Sequence, residues 1–250
     1  MKMYVGAALL AVLALGGCGQ ESADKAASAV LASASPDTPP DIPVAGPERA
    51  ILAFGDSLFA GYGLKDGESY PARLEAALRA RGVNARIRNA SVSGDTTAAG
   101  LQRLAFTLDS QPQAPELVLV SLGGNDVLRG LPPEETRKNL DAILTELGRR
   151  GSKAVLMGML APPNLGADYR RRFDAIYPAL ARKHGAVLVP FFLQAVIDKP
   201  DLIQPDRIHP TARGIEEIVV ATAGRVGEAL PPLEPLPPQI PPKAALPNPR

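Results

Sequence analysis

The chain has 250 residues, of which 46% are hydrophobic and 21% charged, and its formal net charge is +1. That is enough chain for one sizeable core and too little for two. The balanced charge, with no basic block, excludes nucleic acid as a partner, since neutralising phosphates needs a cationic stripe. One cysteine, Cys18, and two histidines, His184 and His209, leave no material for an intrachain disulfide, a thiolate metal site or a histidine-rich metal centre.

Residues 1–17 carry Lys2 and then an apolar run from Val5 to Leu15, too short for a comfortable membrane span and suited to the core of a secretory signal. The run ends in Leu15-Gly16-Gly17-Cys18, which resembles a bacterial lipoprotein cleavage box. That resemblance implies that Cys18 becomes the lipidated first residue of the mature chain. The protein is then expected to be an exported lipoprotein of the cell envelope, facing the periplasm and anchored in the outer membrane. If the signal is a plain secretory one, Cys18 is incidental and the protein is soluble in the periplasm. Residues 18–48, rich in Ala, Ser, Pro and Asp, read as a tether, and the proline-rich residues 230–250 as an extended, disordered tail. The folded body is expected over 49–229.

Within the body, Ala50 to Phe54 is an apolar run stopped by Gly55, which predicts a buried strand. Glu68 to Arg81 has helical spacing through Leu74, Ala77 and Leu78, and Gly82 ends it. Val83 to Ala90 alternates as a strand does, and Asp95 to Ser110 is again helical. Glu116 to Leu122 is the clearest strand, followed by a helix over Pro133 to Arg150. A strand over Lys153 to Leu160, a helix over Tyr169 to Lys183, a strand over Ala186 to Val189 and a helix over Pro210 to Leu230 complete the series. Alternation with short connections predicts an α/β fold: three layers, doubly wound, with a five-stranded parallel sheet in the order 2-1-3-4-5.

In such a sheet ligands bind at the carboxyl ends of the strands. Gly55-Asp56-Ser57-Leu58 follows the first strand, Ser91-Val92-Ser93-Gly94-Asp95-Thr96 the second and Gly123-Gly124-Asn125-Asp126 the third. Asp206-Arg207-Ile208-His209-Pro210 lies beyond the fifth. These four loops suit acyl transfer. A serine hydroxyl needs a neighbouring imidazole to accept its proton, and Ser57 and His209 supply the pair. Asp206, three residues before His209, is placed to accept the other ring N–H. The backbone N–H groups of Ser57 and Gly94 and the Asn125 amide are candidate donors to the oxyanion.

Gly55-Asp56-Ser57-Leu58, Gly94, Gly124-Asn125-Asp126 and Asp206-x-x-His209 resemble, in order, the four blocks of the SGNH hydrolases, also called GDSL esterases and lipases. The likeness runs from about Ala50 to Ala229. Ser93 to Thr96, Gly123 to Gly130 and Tyr169 to Pro178 are similar to the bacterial multifunctional thioesterase, lysophospholipase and arylesterase subgroup. The resemblance implies a flavodoxin-like fold, no metal or organic cofactor, a Ser57, Asp206, His209 triad and an oxyanion hole of Ser57, Gly94 and Asn125. It implies a serine esterase acting on small carboxylic esters, lipids or thioesters, expected as a monomer. Where relatives of the subgroup carry a bulky apolar residue and Asn-Tyr-Gly, this chain has Leu160 to Gly166, so acyl length does not transfer. No Gly-x-Ser-x-Gly elbow is present.

Val127, Leu128, Leu131, Leu160 and Ala161 are candidates for an acyl-binding surface, with packing on the core the equal alternative. Asp56 and Asp126 are expected to fix their loops, Asp95 to sit at a helix N-terminus, and His184 to end a helix. Three other functions use some of the same residues or the same envelope setting. A metal phosphoesterase built on Asp56, Asp126, Asp206 and His209 leaves Ser57, Gly94 and Asn125 without a task. A carbohydrate acetylesterase would use the same triad. A non-catalytic lipid- or glycan-binding envelope lipoprotein would not need the triad intact.

Overall fold

The computed structural model describes residues 43–233. The signal segment, Cys18, most of the tether and most of the proline-rich tail lie outside the described residues. Five strands, β1 (Arg49–Gly55), β2 (Ala85–Asn89), β3 (Leu117–Ser121), β4 (Lys153–Met157) and β5 (Val187–Val189), form one sheet in the order β2-β1-β3-β4-β5. Every neighbouring pair is parallel; Ile51 of β1, for instance, sits between Ile87 and Leu117. This is the expected order, and in β3, Leu-Val-Leu-Val-Ser, all five residues are buried. A strand apolar on both faces must be covered on both faces, which crossover helices do.

The helices are α1 (Ser57–Ala60), α2 (Tyr70–Ala80), α3 (Thr97–Asp109), α4 (Gly124–Leu128), α5 (Pro133–Arg149), α6 (Ala167–Asp174), α7 (Ile176–His184) and α8 (Ala212–Ala229). α2 packs with α8, while α3, α5 and α7 pack in series, so the sheet has a helical layer on each side. Phe59, Tyr70 and Phe192 pack ring on ring at 4.8–5.5 Å. Tyr70, fully buried, shares a 2.9 Å hydrogen bond with Thr222 of α8. Tyr177 of α7 donates to the carbonyl of Leu122, just past β3, at 3.0 Å.

The helix expected over Tyr169 to Lys183 breaks at Ala175 into α6 and α7. The cause is Pro178, which has no N–H for the carbonyl of Asp174; it is tolerated only in the first turn of a new helix. Two short helices, α1 and α4, occupy what the sequence suggests are loops. Both start immediately after a strand end and both carry candidate site residues.

His184 ends α7 before Gly185, whose φ of 62° closes the helix in the left-handed region. Its Nε2 lies 2.5 Å from Asp141 of α5, and Lys183 donates to the same carboxylate at 2.7 Å. Together, Lys183 first, they hold the Asp141 carboxyl below its ordinary range. The pair ties α5 to α7.

Candidate active site

The site forms where β1, β2, β3 and β5 end. Gly55 closes β1 against β3 so tightly that a Cβ there would stand 2.7 Å from the carbonyl of Ser121. Asp56 then adopts an extended backbone, caps α1 by accepting from the Leu58 N–H at 3.1 Å, and puts Ser57 on the helix's first residue. Asp56 is buried, and burial, with Asp95 and Asp126 nearby, pushes its pKa up to about 7 against the opposing bonds from Leu58 and Asn125. A folded-state pKa above the unfolded value means the native chain holds a proton that the unfolded chain releases, so stability falls as pH rises between the two. In thermal melts from about pH 4 to pH 7, Asp56→Asn is therefore expected to lose less midpoint than the wild type. Parallel profiles would refute this origin.

After β2 the chain turns through Gly94, whose φ of 88° is left-handed. Thr96 caps α3, accepting from the Ala99 N–H at 3.3 Å. Asp95, expected at the helix N-terminus, instead accepts from Arg103 Nε at 2.6 Å: the threonine hydroxyl takes the cap, and a guanidinium one face along the helix takes the carboxylate. After β3, Gly123 (φ 110°) passes so near Tyr177 that a Cβ would meet the phenol oxygen at 2.1 Å. Asn125 follows in α4. Its Nδ2 donates to the carbonyl of Asp95 at 3.0 Å and lies 3.4 Å from Asp56 Oδ2. Asp126 is buried and ties down the start of α3 and α5, accepting from the Thr97 N–H at 2.8 Å, from the Thr97 hydroxyl, and from Thr136 at 3.1 Å.

The loop from β5 to α8 delivers the other half. Gln204 braces it, donating to the carbonyls of Tyr62 at 2.8 Å and Pro210 at 2.9 Å. Arg207 is the non-glycine residue with positive φ (63°) among the described residues, a conformation costing about 1–3 kcal/mol outside glycine. That turn lets Asp206 fold back so that Oδ1 accepts the N–H groups of Ile208 (2.9 Å) and His209 (3.0 Å). Desolvation alone would raise the Asp206 pKa. The bonds from the His209 ring, the His209 N–H and the Ile208 N–H outweigh it and bring it down to about 2.

Asp206 Oδ2 lies 2.6 Å from His209 Nδ1, and His209 Nε2 lies 2.8 Å from Ser57 Oγ. A carboxylate only accepts, so Nδ1 carries the ring proton and Nε2 is the acceptor facing the serine hydroxyl. The Tyr62 ring lies 4.5 Å from the imidazole, tilted 33°. Residues separated by up to 152 positions thus form one continuous Asp–His–Ser chain. A cavity of about 420 Å³ opens over it, lined by Ser57, Gly94, Asn125 and His209 together with Leu58, Tyr62, Leu128 and Ile208. Its size falls within the range of small-molecule clefts, roughly 300–1,000 Å³. Among the described residues no three His, Cys, Asp or Glu side chains converge as metal ligands.

Residues 53–216 match the model of the GDSL-like lipase/acylhydrolase family, a stretch that holds all four loops. The chain belongs to this family. It is 42% identical over 160 residues to an arylesterase of Vibrio mimicus, covering 64% of this chain and 79% of that protein. It is 41% identical over 160 residues to the thioesterase 1/protease 1/lysophospholipase L1 of Escherichia coli, covering 64% of this chain and 74% of that one. Among solved structures, the SGNH-hydrolase family esterase AlinE4 is 68% identical over 75% of this chain and 100% of its own, with a TM-score of 0.64. The structure of TesA is 36% identical over 72% of this chain and 99% of its own, with a TM-score of 0.68.

In this GDSL-like acylhydrolase the expected acyl-binding surface is only partly where the sequence suggests. Leu128 lines the cavity and is 58% exposed. Val127 does not serve there: α4 is helical, so the residue before Leu128 points back into the core, where it is buried. Ala161 is buried too, its N–H held by Asp174 at 2.8 Å. Leu160 is exposed but lies off the cavity, as does Leu131, whose carbonyl accepts from Tyr169. Tyr62, Leu58 and Ile208 line the cavity without having been expected. Leu58 and Ile208 carried a sequence signal, their places beside Ser57 and between Asp206 and His209, and Tyr62 carried none.

Proposed function

We propose that this protein is a serine esterase that hydrolyses carboxylic esters and thioesters through an acyl-enzyme on Ser57. The observation that carries the reading is the 2.6 Å and 2.8 Å relay from Asp206 through His209 to Ser57 at the floor of a partly apolar cleft. His209 Nε2 takes the hydroxyl proton as Ser57 Oγ attacks the substrate carbonyl, then gives that proton to the departing alcohol or thiol. Water, deprotonated by the same nitrogen, releases the acid and restores the serine. The N–H groups of Ser57 and Gly94 and one Asn125 N–H receive the negative charge on the carbonyl oxygen. The Asn125 amide keeps its bond to Asp95 as an anchor, and its longer 3.4 Å approach to Asp56 is the one it exchanges for the oxyanion.

Leu58, Tyr62, Leu128 and Ile208 give the cleft an apolar surface, which fits acyl chains and aryl or lipid leaving groups. The names of the similar proteins, arylesterase and thioesterase/lysophospholipase, point to the same class. The resemblance of Leu15-Gly16-Gly17-Cys18 to a lipoprotein cleavage box supports an enzyme held at the periplasmic face of the envelope through residues 18–48, where lipid and xenobiotic esters rather than cytosolic thioesters are at hand.

Hydrolysis of p-nitrophenyl esters from acetyl to palmitoyl is the test. Turnover with an optimum in the series is the expected result; none at any length overturns the reading. Asn125→Ala is expected to lower kcat about 100-fold, the cost of one oxyanion donor. An undiminished kcat would remove Asn125 from the mechanism.

A further inference from the structure

We infer that Arg103 is the positioning residue of the oxyanion hole, a single guanidinium that holds the loops after β1 and β2 and, through Asp95, the Asn125 amide. The inference rests on the serine-esterase reading and deepens it. Arg103 lies on α3 and touches none of the reacting atoms. Its Nη2 donates to the carbonyl of Gly55 at 3.0 Å, its Nη1 to the carbonyl of Ala90 at 2.6 Å, and its Nε to the Asp95 carboxylate at 2.6 Å. The group also stacks over the Phe54 ring, 4.1 Å from its centroid, and is only 21% exposed.

Two of these partners, Gly55 and Asp95, stand one short step from an oxyanion donor. Gly55 lies two residues before Ser57, whose N–H is the first donor. Asp95 follows Gly94, the second donor, and its own carbonyl is the atom that anchors the Asn125 amide, the third, at 3.0 Å. The N–H of Val92 bonds the same Gly55 carbonyl at 3.0 Å, so the two loops are stitched together at the point the guanidinium occupies. A planar fork with several fixed donors can meet two carbonyls and a carboxylate at once, and the flat face left over stacks on the ring. An ammonium group matches neither the fork nor the stack. Oxyanion donors act only when preorganised at the position the charge will occupy, so a shift of the order of 1 Å is felt in the transition state far more than in substrate binding.

The test is steady-state kinetics on a p-nitrophenyl ester that the wild type turns over, with enzyme concentration set by titration with an alkylphosphonate ester, for wild type, Arg103→Ala, Arg103→Lys and Arg49→Ala. Arg49 is the control: it pairs with Glu116 at 2.6 Å at the start of β1, the opposite edge of the sheet, so its loss removes a comparable ion pair without reaching the site. Arg103→Ala is expected to lose about 100-fold in kcat with KM within about threefold, and Arg103→Lys to recover part of that loss without regaining the wild-type rate. Arg49→Ala keeps its kcat whatever its melting point does. A kcat for Arg103→Ala equal to that of Arg49→Ala, or a loss confined to KM, overturns the inference. If Arg103→Ala does not fold, Arg103→Lys decides alone, and full wild-type kcat in that variant overturns it. Wild-type enzyme without turnover would instead refute the esterase reading, so the two failures are told apart.

Discussion

Ser57→Ala is expected to abolish ester hydrolysis, with kcat lower by about four to six orders of magnitude while the fold and the thermal midpoint are kept. Ser57 is partly accessible, and among the described residues its Oγ bonds His209, so removing the hydroxyl leaves no buried polar group stranded. His209→Ala should fall to the same level, and the double variant no lower, because nucleophile and base act as one unit: with either gone, the other has nothing to exchange a proton with. Turnover per enzyme, normalised to folded protein, is the measurement. A Ser57→Ala protein retaining a tenth of wild-type activity would mean that another group attacks the ester.

The second large effect belongs to Asp206. Asp206→Asn is expected to reduce kcat by about three to four orders of magnitude. An amide can present either a donor or an acceptor to Nδ1, and it no longer supplies the negative charge that stabilises the imidazolium formed during attack. Asp206 also holds the loop, through the N–H groups of Ile208 and His209, so a stability signature accompanies the kinetic one. Its pKa, brought down to about 2, lies below the unfolded value. The stabilisation is therefore present above that unfolded value and is lost as pH falls through the folded one. Melts of the wild type and Asp206→Asn should accordingly converge on acidification toward pH 2. At ordinary acidities Asp206 stays ionised. A constant gap in melting point down to pH 2 would show that the low pKa is not what steadies the loop.

Much of this site is legible from the sequence because of where its residues fall. Ser57 follows the stop of an apolar run, Asn125 follows the clearest strand of the body, and Asp206 and His209 are three residues apart. A parallel sheet then leaves little choice, since all its strands end on one edge. What stayed hidden are contacts made through space. Arg103 looks like any solvated helix arginine until α3 is laid against β1 and β2, where its fork meets carbonyls from both. Tyr62 carries no pattern of its own and becomes part of the cleft only when the loop braced by Gln204 brings its ring over His209.

The chain's own sequence determined the three-layer α/β architecture and the identity of the Ser57, Asp206 and His209 constellation. These depend on apolar periodicity and on which polar residues follow the strand ends. Only the tertiary structure decided that Val127 and Ala161 face the core while Leu128 and Ile208 line the cleft, and that the Asp95 carboxylate pairs with Arg103, farther along α3, rather than with the N–H groups at that helix's start. The physical reason is one of range. Periodicity and local hydrogen bonding act over a few residues and are written in the chain, whereas the direction of a loop side chain, or the partner of a lone guanidinium, is set by elements that meet only after the sheet has formed.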